Sequence, residues 1–134
     1  MNNFSSYDDK IVNKPWGHEY TSLRIKKKIA ITFLHINRNK RTSLHCHPNK
    51  KTAFVVLNGK IKVQYGIYKK NSKVYNPLSR LVLREGLFHS LQAISKNGAK
   101  VLEFEKPANK NDLIRFSDDY GREKKNYEGK RFTK

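Results

Sequence analysis

Between residues 17 and 105 the apolar positions fall in short runs, rich in β-branched and aromatic side chains, that are broken by Asn, Gly, Lys and Pro. Such runs have the grammar of strands and turns. They predict strands near 18–24, 28–36, 42–47, 53–58, 60–68, 79–84, 88–95 and 100–105. No window sustains a 3.6-residue period over the three turns that would mark a helix. Two Asn-Gly pairs punctuate the pattern: Asn58-Gly59 separates TAFVVL from KIKVQYGIY, and Asn97-Gly98 separates LQAIS from AKVLEFE. Each predicts a tight hairpin, because both central residues of a primed turn take positive φ. Eight short strands with tight turns on so short a chain predict an all-β fold, either a closed barrel or a double-sheet jelly roll. The character changes from Ala108. Asn111-Asp112 predicts the cap of a single helical turn ending at Arg115, and DDYGREKKNYEGKRFTK beyond it reads as a polar, irregular tail.

Composition narrows the class. A chain of 134 residues suits one domain, and 37% hydrophobic residues supply a core, which argues against disorder. No apolar run approaches the ~20 residues that span a bilayer, and MNNFSSYDDK lacks the basic and apolar regions of a secretory signal. These features predict a cytoplasmic protein that does not contact a membrane. A single cysteine, Cys46, excludes an internal disulfide framework.

The formal charge of +18 has two readings. One is a polyanion-binding surface. The other is compositional drift: 21 lysines stand against 8 arginines, scattered along the chain, whereas phosphate and base readers enrich arginine for its bidentate geometry. Only Lys26 to Lys28 and the stretch from Lys124 to Lys134 cluster, and neither lies in a nucleic-acid motif. Nucleic acid is therefore not the expected partner; a small polar or anionic metabolite is.

The chemistry sits in the histidines. His45 and His47 in TSLHCH are two residues apart, so a strand presents both on one face, while Cys46 between them faces the other way as a packing residue. Taken alone, such a pair is more often a surface accident than a metal site. His89 in REGLFHSLQ, behind a turn at Gly86, adds a third imidazole from another predicted strand. Three convergent imidazoles suit Zn, Fe, Ni, Cu or Mn and leave coordination positions open for water or substrate. His35 reads as a residue of the barrel wall, and His18 as one lining its mouth.

The spacing of these residues resembles the two motifs of the cupin superfamily. His45-Cys46-His47, four residues, Thr52, six residues and Gly59 match the first; Gly86-Leu87-Phe88-His89 matches the second. Pro15-Trp16-Gly17-His18-Glu19 looks like the opening segment of the mannose-6-phosphate isomerase-like and sugar-nucleotide-linked branch. The resemblance covers about residues 14–105. It implies a double-stranded β-helix, a jelly-roll cupin barrel with a short irregular C-terminal tail, organised as an N-terminal arm (1–13), the barrel (14–107) and the tail (108–134). It also implies a divalent transition metal (Zn, Ni, Fe or Mn) on His45, His47 and His89, a sugar-related substrate, and a homodimer formed through the N-terminal edge. The match is incomplete. Thr52 stands where the family places a carboxylate ligand, Arg84 replaces a proline, and Ala93 replaces an asparagine.

Three outcomes follow from Thr52: a working three-histidine site, a site completed by another carboxylate, or a site that has lost its metal. Candidates for the second are Glu103 and Glu105, which alternate with Leu102 and Phe104 and so share a face, and Glu19. Either glutamate of the pair could abstract a proton beside a carbonyl, as sugar isomerisation requires, or simply pair with lysines at the rim. Gln92 has the wrong parity to join His89. Tyr65 shares a face with Ile61 and Val63 and could offer its hydroxyl to substrate or be a core tyrosine. Trp16 is a sugar platform or an anchor, and Lys50 and Lys51 meet a phosphate at the mouth or are exposed turn lysines. The resulting expectation is a metal-binding cupin of isomerase or epimerase type. Its alternatives are a three-histidine iron oxygenase and a non-enzymatic ligand-binding or nucleic-acid-binding barrel.

Overall fold

The computed structural model describes residues 10–121 and the backbone of residues 130–131. Its strands are β1 (Ile11–Lys14), β2 (Gly17–Ile25), β3 (Ile29–Ile36), β4 (Leu44–Cys46), β5 (Lys51–Asn58), β6 (Ile61–Tyr65), β7 (Ser72–Tyr75), β8 (Arg80–Leu83), β9 (His89–Ala93), β10 (Ala99–Lys106), β11 (Ile114–Ser117) and β12 (Lys130–Arg131). They form two six-stranded sheets, ordered β1-β2-β3-β10-β5-β8 and β12-β11-β4-β9-β6-β7. All pairings are antiparallel except β11 with β12. The fold is the double-stranded β-helix that the strand pattern and the resemblance predict.

Alternation decides what each strand buries. Ala30, Thr32, Leu34 and Ile36 of β3 point between the sheets, as do Thr52, Phe54 and Val56 of β5 and Leu81 and Leu83 of β8. The opposite sheet contributes Ile61 and Val63 of β6 and Leu91 and Ala93 of β9. Ile36, Val56, Ile61, Val63, Ala93 and Val101 are fully buried and fill one end of the barrel. Towards the other end the inward positions turn polar. On β10 they run Ala99, Val101, Glu103, Glu105; on β9, Ala93, Leu91, His89; on β5, Val56, Phe54, Thr52.

Both Asn-Gly turns exist, but neither closes a hairpin. Asn58-Gly59 carries the chain from β5 in one sheet to β6 in the other, and Asn97-Gly98 carries it back from β9 to β10. They are corners between sheets, and a local pattern cannot tell a corner from a hairpin because sheet membership is set by long-range pairing. Gly59 and Gly98 have φ of 75° and 77°. A methyl group on Gly59 would fall 2.4 Å from the carbonyl oxygen of Gly98, and one on Gly98 would fall 2.4 Å from that of Ile36.

The tail also departs from expectation. The helical turn expected through Arg115 is absent; Ile114–Ser117 is instead a strand paired with β4, extending the second sheet past residue 107. The capping potential of Asp112 is used on a different segment, as described below. The remainder of the polar tail, residues 122–129 and 132–134, lies outside the described residues, as does most of the N-terminal arm. His18 is not at the mouth of the cavity. It pairs across strands with His35 on the outer face of the first sheet, the two rings stacked with centroids 5.1 Å apart.

Gly59→Ala should cost about 2–3 kcal/mol, because it meets both the positive-φ strain and the backbone of Gly98. Gly66→Ala, at a φ of 78° with nothing within 4 Å, should cost only about 1 kcal/mol. Urea denaturation of the two variants reads the difference, and equal costs would show that the corner contact carries no energy.

Candidate metal centre

His45 on β4 and His89 on β9 are directly opposed in the antiparallel ladder, which brings their imidazoles together by register alone. His47 follows β4, and the amide of Gly86, in the turn between β8 and β9, donates to its carbonyl oxygen at 2.9 Å. The candidate ligand nitrogens of the three lie within 4.8 Å of one another, and the ring centroids are 4.6–5.2 Å apart.

Each Nδ1 faces a backbone carbonyl: that of Ser43 for His45 at 2.8 Å, of Asp112 for His47 at 2.8 Å, and of Leu87 for His89 at 2.9 Å. A carbonyl only accepts, so all three Nδ1 atoms carry the proton and all three Nε2 lone pairs are left bare. The Nε2 atoms of His47 and His89 are buried with no hydrogen-bond partner. Burial holds all three imidazoles well on the neutral side, His89 being lowered to about 4, with the Lys50 ammonium adding to the depression at each. Neutral imidazoles with Nδ1 fixed by a carbonyl and Nε2 unpartnered are the donor set that a divalent transition metal takes.

Asp112 builds the support. Its Oδ2 accepts the backbone N–H groups of Asn49 and Lys50, each at 2.9 Å, and Oδ1 accepts the Asn49 amide at 3.2 Å, while its carbonyl orients His47. Sequence reasoning treated Asp112 as a helix cap. The residue does cap free N–H groups, but those of the His47–Lys50 turn, about sixty positions away.

The triad lies on a cavity of about 80 Å³, also lined by Trp16, Glu19, Lys50, Glu103, Lys110 and Arg115 among others. Glu103 and Glu105 both point into the barrel, yet neither belongs to the histidine cluster. Glu105 is buried against Lys50, which pairs with its Oε2, and Lys110, whose Nζ is 3.4 Å from its Oε1. Burial alone would raise the Glu105 carboxyl, but the two ammonium groups outweigh it and hold the group below its usual range. Glu103 lines the cavity 3.9 Å from Lys110. Burial pushes it up to about 7, against the pull of Lys110 and with a further push from Glu105. Glu19 lines the cavity with its carboxylate 3.7 Å from Lys14. Thr52 is buried with its hydroxyl unpartnered.

Tyr65 is not among the cavity-lining residues; its hydroxyl bonds that of Tyr75 at the edge of the core. Lys50 is no exposed turn lysine: it is 4% exposed, lines the cavity, and also donates to the Asn109 carbonyl at 2.9 Å, whereas Lys51 is exposed. Sequence reasoning missed Lys110, Asp112 and Arg115, all beyond the matched motifs.

Residues 2–118 match the family model described as Mannose-6-phosphate isomerase C-terminal. No curated protein matches the chain. Among solved structures, KdgF from Halomonas sp. superposes with a TM-score of 0.65 at 13% identity, over 75% of this chain and 89% of that one. The Cnp3 cupin domain of Schizosaccharomyces pombe gives 0.62 at 11%, over 80% and 69%. CapF from Staphylococcus aureus, a capsular polysaccharide assembling protein, gives 0.69 at 11%, over 81% of this chain but 32% of CapF. At these identities the likeness is one of fold.

Glu103 gives the site a pH signature. A carboxyl whose folded pKa is raised from 4.5 to about 7 binds more protons folded than unfolded, so its stability contribution is complete below about 4.5 and is lost as pH rises towards 7. Glu103→Gln removes that loss. Relative to wild type, the metal-free variant should gain on the order of 2 kcal/mol between pH 5 and pH 8 in urea unfolding; an unchanged difference at the two pH values would place Glu103 in water.

Proposed function

Because the chain belongs to the Mannose-6-phosphate isomerase C-terminal family, a family of cupin domains, we propose that it is a metal-binding cupin acting on a sugar or sugar derivative by isomerase or epimerase chemistry. The observation that carries this reading is the set of three neutral imidazoles, each fixed through Nδ1, whose Nε2 atoms converge with two of them buried and unpartnered. His45, His47 and His89 would hold the ion. Bound there, a divalent transition metal supplies Lewis acidity to an oxygen of the substrate.

The chain's own residues supply the rest. Glu103, with a carboxyl poised near neutral pH and lining the same cavity, is suited to take and return a proton at a carbon next to a carbonyl. Lys110 beside it stabilises the carboxylate once formed. Glu105 is committed to Lys50 and Lys110, so its part is to hold those two cations in place and not to act as a base. Trp16 presents a buried aromatic wall to the cavity. A second reading, a three-histidine iron oxygenase, draws support from the same sequestration of Glu105, which leaves no carboxylate in the histidine cluster among the described residues.

Metal analysis of the purified protein after reconstitution tests both. Wild type is expected to hold about one ion per chain, and His45→Ala and His89→Ala to lose it by tenfold or more in affinity. Zn, Ni or Mn together with turnover of sugar-type substrates, abolished in Glu103→Gln, is the expected result. Iron with oxygen uptake would transfer the assignment to the oxygenase, and a wild type that retains no metal would sink both.

A further inference from the structure

Lys26, Lys27 and Lys28, a cluster already evident in the sequence, have no part in the candidate metal centre. They form the turn between β2 and β3, and all three are exposed. No carboxylate among the described residues pairs with any of them. The register brings two further exposed lysines to the same end of the first sheet. Glu105 of β10 pairs with Ala30, and the next residue, Lys106, pairs with Lys51 of β5.

Apolar side chains stand beside this charge. Ile25 pairs with Ile29 across the ladder and Leu23 with Ile31, so all four lie on the outer face of the sheet. Ile25 is 51% exposed, Leu23 48% and Ile29 37%. A hairpin tip that only met water would carry polar residues at these positions. The backbone of the turn is satisfied from within. The Ile25 carbonyl accepts the Lys28 amide at 3.0 Å, the Lys26 carbonyl accepts Arg24 Nη1 at 3.0 Å, and the Lys27 carbonyl accepts the Ala108 amide at 2.9 Å. These carbonyls stay bonded when water is withdrawn, as a segment entering a lipid head-group layer requires.

We propose that the β2–β3 hairpin docks on an anionic lipid surface, with Ile25 and Ile29 entering the head-group layer and Lys26 to Lys28 meeting the lipid phosphates. Lys51 and Lys106 add to the attraction from the same end of the sheet. The expectation of no membrane contact rests on the lack of a spanning run, and a peripheral contact needs none. Nucleic acid offers phosphates but no apolar layer for the isoleucines, and its readers favour arginine. A second copy packed tip to tip would bring like charges together. The proposal does not depend on whether the histidine triad holds a metal.

Co-sedimentation of the full chain with vesicles tests it, using phosphatidylcholine alone and phosphatidylcholine with about 30% phosphatidylglycerol, at about 0.1 M salt. The anionic vesicles should bind at least about tenfold more tightly. Replacing the three lysines together should weaken that binding by about 100-fold, roughly fivefold for each. Lys26→Asn suits its φ of 49°, and Lys27→Gln and Lys28→Gln complete the variant. Ile25→Ser with Ile29→Ser should weaken it at least about tenfold while leaving the charge unchanged. Lys40→Gln, Lys60→Gln and Lys96→Gln remove the same charge from exposed positions at the opposite end of the barrel and should cost less than about threefold. Equal binding to the two vesicle types overturns the proposal, as does a lysine or isoleucine variant of the hairpin that binds like wild type. A loss in the opposite-end variant as large as in the hairpin variant also overturns it, leaving only net charge. Duplex DNA that binds through Lys26 to Lys28 and strips the protein from vesicles replaces the lipid with nucleic acid as the partner and overturns it too.

Discussion

Closing two sheets face to face gives the molecule one inner surface, and every strand must divide its residues between that surface and the outside with a period of two. All else in the structure answers to this constraint. Since the same strands line both ends of the barrel, the apolar core and the polar cavity are not separate regions of sequence but successive inward positions of the same strands: Val101 then Glu103, Leu91 then His89, Phe54 then Thr52. The apolar end holds the sheets together, and its rigidity fixes the register that sets His45 opposite His89.

Buried charge is the cost of the polar end. Glu105, Lys50 and Lys110 are all under 10% exposed, and such groups persist only when they neutralise one another. Their mutual pairing explains why Glu105, the inward glutamate directly opposite Thr52 in the ladder, does not join the histidines. The loss of a carboxylate at position 52 and the presence of a lysine at position 50 act in the same direction, towards a more positive cavity.

What the sequence reveals and conceals follows the range of the interactions involved. The strands carrying His45 and His89, and His47 one residue past β4, are legible because period-two alternation and histidine spacing are local. The inward aim of Glu103 and Glu105 was legible for the same reason. The two Asn-Gly turns are legible but not their partners, since whether adjacent strands pair with each other or part into opposite sheets depends on pairings far along the chain, such as Ile61 with Ala93 and Val56 with Val101. Arg115, Asp112 and Lys110 were invisible as site residues: nothing in NKNDLIRFS announces that it will fold back along β4 and over the His47 turn. Of the two places the sequence leaves open for Lys50, exposed turn or cavity mouth, local pattern cannot choose, because a turn lysine is ordinarily solvated and the burial of Lys50 is decided by Glu105, fifty-five positions later.

Cys46 lies between two of the imidazoles yet is buried on the opposite side of β4, and burial together with Asp112 pushes its thiol up. The sulfur therefore stays protonated and out of reach of the cavity. Its alkylation requires local opening around β4, so the rate at which a thiol reagent consumes Cys46 is a clock for opening of the strand that carries His45, and it slows when anything bound to the histidines holds that strand in place.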